Sequence, residues 1–375
     1  MPKSIMVVLG TRPECIKLAP VIAALERRPE TFRTIVCSSG QHREMLDQTL
    51  ASFGLKPHID LGVMRPDQSL SELTAALITA LARAIGEVRP DWIVVQGDTT
   101  TAFVASLAGY FQRVHVAHVE AGLRSFDRFN PFPEEINRRL VGVIADLHFA
   151  PTERAAAALR AETIPAESIH LTGNTVVDAL AMLWRSLDTP AGAARILPSV
   201  RALTDRTRRL VLVTCHRRES FGGDLAAICR AVRRIAIAQP DCDVVYPVHL
   251  NPNVRAQAMP LLGGLPNLHL IDPVPYESLV HLLSRAELVL TDSGGIQEEA
   301  PSFGVPVLVL RWKTERPEGV DAGFAELVGA DEDRIVARAE ALLAADTRAS
   351  LRDRPNPYGD GRAGERIADI LAATP

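Results

Sequence analysis

Short apolar runs alternate with longer stretches of helical periodicity along almost the whole chain. The segments IMVVL (5–9), RTIVC (33–37), WIVV (92–95), VHVAH (114–118), LVLV (210–213), DVVY (243–246), LHL (268–270), AELVL (286–290) and VLVL (307–310) read as strands, each bounded by turn or helix signals. Residues 70–88, 224–239 and 276–285 carry apolar positions at helical spacing. Strand–helix alternation of this kind predicts parallel, doubly wound sheets. Between residues 187 and 208 the periodicity fades into Pro190, Leu197-Pro198 and a basic cluster, so a domain boundary is expected there. The expected fold class is therefore α/β, with Rossmann-like domains over 1–185 and 186–355 whose strand-end motifs face a shared cleft. A turn cluster at 356–361 precedes a last amphipathic helix over 363–372.

Composition narrows the function classes. A length of 375 residues suits two domains. The formal charge of −4 argues against a nucleic-acid surface and against an electrostatic membrane anchor. No apolar run reaches the length of a membrane span, and the N-terminus lacks the pattern of a signal peptide. Five cysteines without CxxC spacing predict neither a disulfide framework nor a metal site, and a cytoplasmic location is the expectation.

The polar residues that could carry chemistry stand at strand ends. TDSGGIQEEA (291–300) follows a strand that reads as buried on both faces. Ser293, Gly294 and Gly295 would present backbone N–H groups at a helix start with no side chain in the way, which is how a fold holds phosphate. Glu298 or Glu299 could then accept hydrogen bonds from ribose hydroxyls. GTRPECIK (10–17) lacks the GxGxxG spacing of a dinucleotide fingerprint, but it places Arg12 and Lys17 at a strand-to-helix junction, where two cations suit a diphosphate. QGDTTT (96–101) leaves Asp98 at the rim, with Thr99 to Thr101 available as helix caps. HVEAGLR (118–124) delivers Glu120 to a strand end, and NPFPEEIN (130–137) brings Glu134 and Glu135 into a helix's first turn. Carboxylates gathered at one rim suit proton abstraction and return. TCHRRE (214–219) adds His216 with Arg217 and Arg218 from the second half, while His249 is less distinct. Phosphate-binding features together with carboxylates predict a nucleotide-sugar enzyme.

Taken as a set, these motifs resemble the non-hydrolysing UDP-N-acetylglucosamine 2-epimerases. The matching segments include GTRPECIKLAP (10–20), GQHREMLDQ (40–48), QGDTTTA (96–102), HVEAGLRS (118–125), NPFPEEINR (130–138), HRRESFG (216–222), LTDSGGIQEEAPSFGVPVLVLR (290–311) and TERPEG (314–319), in the family's order. The resemblance implies glycosyltransferase B architecture, a homodimer, and a C-terminal helix over 356–375 packing back on the N-terminal domain. It also implies interconversion of UDP-GlcNAc and UDP-ManNAc with no redox cofactor, by anti elimination of UDP to a 2-acetamidoglucal and re-addition. Carried over by motif, Asp98, Glu120 and Glu134 are the acid/base and cation-stabilising carboxylates. Lys17 and His216 resemble the polar groups around the leaving diphosphate and sugar. Arg12, Ser293, Gly294, Gly295, Glu299 and Arg316 resemble UDP contacts. Gln41, His42, Arg217 and His249 resemble the lining of a second, allosteric substrate site. Cys15, Cys215, Trp312-Lys313 and Phe324 depart from the family's usual residues. The competing readings are a UDP-dependent glycosyltransferase of the same fold, a 2-epimerase of a related UDP-2-acetamido sugar such as a UDP-2,3-diacetamido uronic acid, and a non-catalytic UDP-sugar sensor.

Overall fold

A computed structural model describes the backbone of residues 1–40, 43–65, 67–215 and 223–374. The chain divides into two compact units, residues 1–182 with 358–375 and residues 183–357.

The first unit runs β1 (Lys3–Leu9), α1 (Arg12–Glu26), β2 (Phe32–Ser38), α2 (Arg43–Ser52), β3 (Ile59–Asp60), α3 (Leu70–Val88), β4 (Trp92–Gln96), α4 (Thr100–Phe111), β5 (His115–Val119), α5 (Glu134–Ile144), β6 (Leu147–Ala150), α6 (Glu153–Ala161), β7 (Ile169–Leu171) and α7 (Thr175–Leu187), the last crossing into the second unit. Its seven strands are parallel and ordered β3-β2-β1-β4-β5-β6-β7. The order reverses between β1 and β4, and open α/β sheets bind ligands at the carboxyl ends flanking such a reversal. The unbroken apolar run 5–9 within β1 follows from burial on both faces. Ile5, Val7 and Leu9 pack with Leu18, Val21, Ile22 and Leu25 of α1, while Met6 and Val8 pack with Leu73, Leu77 and Leu81 of α3.

The second unit continues with α8 (Pro190–Ala193), α9 (Pro198–Thr204), β8 (Arg209–Thr214), α10 (Gly223–Ala238), β9 (Cys242–Pro247), α11 (Pro252–Leu262), β10 (Leu268–Ile271), α12 (Tyr276–Arg285), β11 (Ala286–Thr291), α13 (Gly294–Glu299), β12 (Val307–Val309), α14 (Pro317–Asp321), β13 (Ala325–Leu327), α15 (Glu332–Ala344) and α16 (Thr347–Leu351). Its parallel sheet is ordered β10-β9-β8-β11-β12-β13, with the reversal between β8 and β11. A final helix, α17 (Ala363–Ala373), returns to the first unit and lays Ile367, Ala368 and Leu371 into the core beside α1.

Several elements differ from the sequence reading in informative ways. The run expected at 114–118 is shifted by one: Val114 closes the turn after α4 by donating to Gly109 O, and β5 begins at His115. The sequence suits Pro13 to the first helical position, but Arg12 already opens α1 and Pro13 is its second residue. The expectation missed β3, β6, β7 and β13, which have two to four residues each and too few positions to show a period. Phe324, one of the departures from the family pattern, is a fully buried core side chain, and Cys15 is fully enclosed in α1.

Candidate active site

In the first unit the sequence-predicted residues gather on the carboxyl rim of the sheet. Lys17, in the second turn of α1, forms a buried ion pair with Glu120 Oε1, and Gln96 Nε2 donates to Glu120 Oε2. Gln96 ends β4, and the β4–β5 register sets it beside Val119, the residue before Glu120. Glu120 has a left-handed backbone, φ +62°, which costs an L-residue with a Cβ on the order of 1–3 kcal/mol. Such strain persists where neighbours over-determine the conformation, and here a lysine and a glutamine hold the side chain from two sides.

Asp98 sits one strand away, in the turn after β4. Arg138 of α5 pairs with its Oδ2, and Asn137 Nδ2 donates to its backbone carbonyl at 2.9 Å. The preceding residue, Gly97, takes φ +68°, donates its N–H to Val119 O at 3.0 Å, and accepts at its carbonyl from His118 Nε2 at 2.7 Å. A carbonyl only accepts, so His118 carries its proton on Nε2. Burial, with His148 and nearby arginines adding to it, pushes His118 down to about 3 and keeps the ring neutral. Asp98 is thereby held through its side chain, its own carbonyl and its neighbour's carbonyl.

The two adjacent glutamates of α5 have different surroundings, which no spacing rule could show. Glu135 is buried and accepts from the N–H groups of Ser125 (3.0 Å) and Phe126 (3.2 Å), with Arg138 at 3.4 Å. It anchors the loop between β5 and α5. Glu134, the first residue of α5, is only half buried. Arg12 opens α1 on the same rim, also half buried.

In the second unit, Ser293 is the N-cap of α13, with Gly294 and Gly295 as its first residues. Ser293 N–H donates to Thr291 Oγ1 at 2.9 Å, and Thr291 Oγ1 lies 2.6 Å from Thr214 Oγ1 across the β8–β11 reversal. Arg316 lies directly over Gly294: a Cβ on Gly294 would stand 2.7 Å from the guanidinium carbon. Arg316 Nε donates to Glu298 Oε1 at 2.8 Å. The loop carrying Arg316 is tied to α13 by Thr314, which donates to Gln297 Oε1 at 2.7 Å. Burial pushes Glu315 up, but Arg316 and Arg311 outweigh it and bring it down to about 2. Of the two carboxylates in α13, Glu298 is engaged by Arg316, and Glu299 accepts from Tyr276 Oη at 3.1 Å.

The structure thus brings Arg12, Lys17, Asp98, Glu120 and Glu134 to one rim, and Ser293, Gly294, Gly295, Glu299 and Arg316 around the start of α13. His249 is exposed beyond the end of β9, with Nδ1 accepting from Asn251 N–H at 3.1 Å. Gln41, His42, His216 and Arg217 lie outside the described residues. Sequence reasoning missed Gln96, Asn137, Arg138 and Tyr276 as partners of the predicted groups. Gln96, Asn137 and Arg138 lay inside motifs already singled out, so position within a motif was the available signal. Among the described residues no cluster of histidine, cysteine and acidic side chains is arranged to hold a metal ion, and no helix is long and apolar enough to cross a membrane.

Two Rossmann-like parallel units, each with a polar cluster at its own sheet reversal, define an α/β protein of the nucleotide-binding kind. The family model described as UDP-N-acetylglucosamine 2-epimerase matches residues 23–372, and the chain belongs to that family. A UDP-N-acetylglucosamine 2-epimerase of Yersinia pestis is 49% identical over 371 residues, covering 98% of both chains. The crystal structure of UDP-GlcNAc 2-epimerase from Neisseria meningitidis bound to UDP-GlcNAc is 42% identical and superposes with a TM-score of 0.92 over 99% of this chain and 100% of that one. A glycosyltransferase of kitacinnamycin, 15% identical with a TM-score of 0.64 over 99% of this chain and 98% of that one, shares the fold alone.

Proposed function

We propose that this chain interconverts UDP-N-acetylglucosamine and UDP-N-acetylmannosamine by anti elimination of UDP and re-addition through a 2-acetamidoglucal. The observation that carries the reading is the set of carboxylates on the first rim: Glu120 between Lys17 and Gln96, Asp98 on Arg138, and Glu134 at the start of α5. The C2–H of the sugar has no adjacent carbonyl to acidify it. Loosening the C1–O bond first creates cationic character at C1, which acidifies that proton. The reaction therefore needs groups that stabilise a departing diphosphate together with carboxylates that remove and return a proton. Arg12 and Lys17 supply cations on the first rim, and Ser293, Gly294, Gly295 and Arg316 supply donors at α13, with Glu299 assigned to the ribose. The full-length relationship to 2-epimerases supports the sugar and the reaction class.

The same reading makes the protein a cytoplasmic homodimer regulated by its own substrate at a second site lined by Gln41, His42, Arg217 and His249. It predicts sigmoidal rate curves that flatten in Gln41→Ala. The test of the chemistry is incubation with UDP-GlcNAc in deuterated water followed by NMR. Deuterium at C2 accompanying UDP-ManNAc is the expected result. Release of free sugar as the main product, or no exchange at C2, would overturn it.

A further inference from the structure

One buried carboxylate on the first rim has no part in the reaction just described. Glu14 is fully buried in the first turn of α1. Its Oε2 accepts from Gly10 N–H at 3.0 Å, Thr11 N–H at 2.7 Å and Thr11 Oγ1 at 2.7 Å. Its Oε1 accepts the hydroxyl of Thr99 at 2.6 Å. Thr99 is the N-cap of α4, and its Oγ1 in turn accepts from Ala102 N–H at 3.0 Å. One side chain therefore joins three backbones: the end of β1, the start of α1 and the start of α4. Arg12 and Lys17 ride on α1, and Asp98 immediately precedes Thr99.

Helix capping alone does not account for a carboxylate here, because glutamine completes the same capping box without burying a charge. Burial pushes Glu14 up to about 7, against the lowering effect of its hydrogen bonds from Thr99, Thr11 and Gly10. All four partners donate, so the ionised carboxylate satisfies them together. The protonated acid adds a donor where donors already converge. With three donors already on Oε2 the added proton falls on Oε1, so the Thr99 hydroxyl can no longer donate there and loses the orientation that the ionised carboxylate fixed.

We infer that Glu14 is a positioning residue whose ionised carboxylate holds the Gly97–Asp98–Thr99 turn against the start of α1, fixing Asp98 relative to Arg12 and Lys17. The role in turnover rests on the epimerase reading; the clamp itself does not.

Arg12 and Lys17 share the helix of Glu14, Lys17 being paired with Glu120 of the β5 rim, and Asp98 after β4 is paired with Arg138. Cys15 beside it and Cys37 on β2 are both pushed up to about 12 by burial and stay neutral. On β1, Lys3 donates to Leu371 O at 2.8 Å; on β2 and α2, Arg33 and Asp47 are exposed. On α17, Glu365 and Asp369 pair with Arg27 and Arg28 beyond the far end of α1, and Arg366 pairs with Asp360. Among the described residues Glu14 is the rim carboxylate that burial raises to about 7, and turnover falls as pH drops through that value.

The experiment compares the full-length native chain with Glu14→Gln and Glu14→Asp. The native kcat for C2 deuterium exchange into UDP-GlcNAc should show an acid limb near pH 7. Glu14→Gln should stay about tenfold or more below the native plateau at every pH, lack that limb, and change KM by less than about threefold. Glu14→Asp should recover a limb in this range. Amide exchange of the peptide spanning residues 97–102, corrected for intrinsic rates, should be faster in Glu14→Gln than in the native chain at about pH 8, and the native chain should approach the variant at about pH 6. Native-like kcat in Glu14→Gln, or a reduced kcat with the limb unchanged, would overturn the positioning role. Equal amide exchange in the two chains would overturn the clamp. If the native chain exchanges no deuterium into UDP-GlcNAc, the epimerase reading fails, while amide exchange still decides the clamp.

Discussion

Single residues here answer to partners far along the chain. Lys17 and Glu120 are 103 positions apart and almost fully enclosed, so removing one leaves the other buried without its opposite charge in this pair. Lys17→Met should lower stability by about 3 kcal/mol, read from urea unfolding, and Lys17→Met with Glu120→Gln should recover part of that loss. Additivity of the two changes would show that the pair contributes nothing as a pair. Glu14 makes a separate prediction about pH. Its folded-state value, about 7, lies above its ordinary 4.5, so the folded chain binds this proton more tightly than the unfolded chain. The stability it contributes is fully present below pH 4.5 and is lost as pH rises through about 7. Relative to the native chain, Glu14→Gln should therefore gain stability on going from about pH 5 to pH 8, by on the order of 3 kcal/mol. A variant that gains relative stability over this pH range yet stays slower in turnover separates positioning from misfolding. For the reaction, Asp98→Asn, Glu120→Gln and Glu134→Gln should each reduce C2 exchange by about a hundredfold or more, with UDP affinity changing far less. Near-native exchange in all three would remove the carboxylate assignment.

At the scale of elements, α13 shows how a short helix start acquires a specific surface. The Arg316 guanidinium, held by Glu298, occupies the space a Cβ on Gly294 would take, so a side chain there must displace it. Gly294→Val should displace Arg316 and weaken UDP binding about tenfold or more in calorimetry, with the fold retained. Arg316→Ala should remove much of that further loss in the double variant, since the displaced group is already absent. Unchanged UDP affinity in a folded Gly294→Val chain would exclude this helix start as the phosphate site. The element was legible in sequence because a buried apolar strand, a cap residue and two glycines are local signals. The arginine above it was not, because Arg316 reaches Gly294 through a loop whose course depends on Thr314 meeting Gln297. Likewise α3 and α12 were legible to their ends from apolar spacing, whereas the short strands β3, β6, β7 and β13 exist through pairing with neighbours rather than through any pattern of their own.

At the scale of the whole molecule, the chain ends in the unit where it began. Leu371 of α17 is fully buried in the core of the first unit, and Lys3 of β1 donates to its carbonyl at 2.8 Å. Gly364 lets the helix approach α1 closely, since a Cβ there would stand 2.8 Å from Pro20 O. Leu371→Ala should cost about 2–5 kcal/mol in urea unfolding, because a filled site becomes a cavity against β1 and α1. A loss below roughly 1 kcal/mol would show that α17 is dispensable to that core. By itself the sequence determined the alternation of strands and helices, the parallel class, and the polar residues at strand ends, because these follow from local spacing and side-chain size. Only the tertiary structure decided that Glu135 anchors a loop while Glu134 stays half buried, that Lys17 engages Glu120, and that Glu14 joins α1 to the Asp98 turn. Those choices depend on contacts between residues tens of positions apart, which exist only once the strands have taken their order in the sheet.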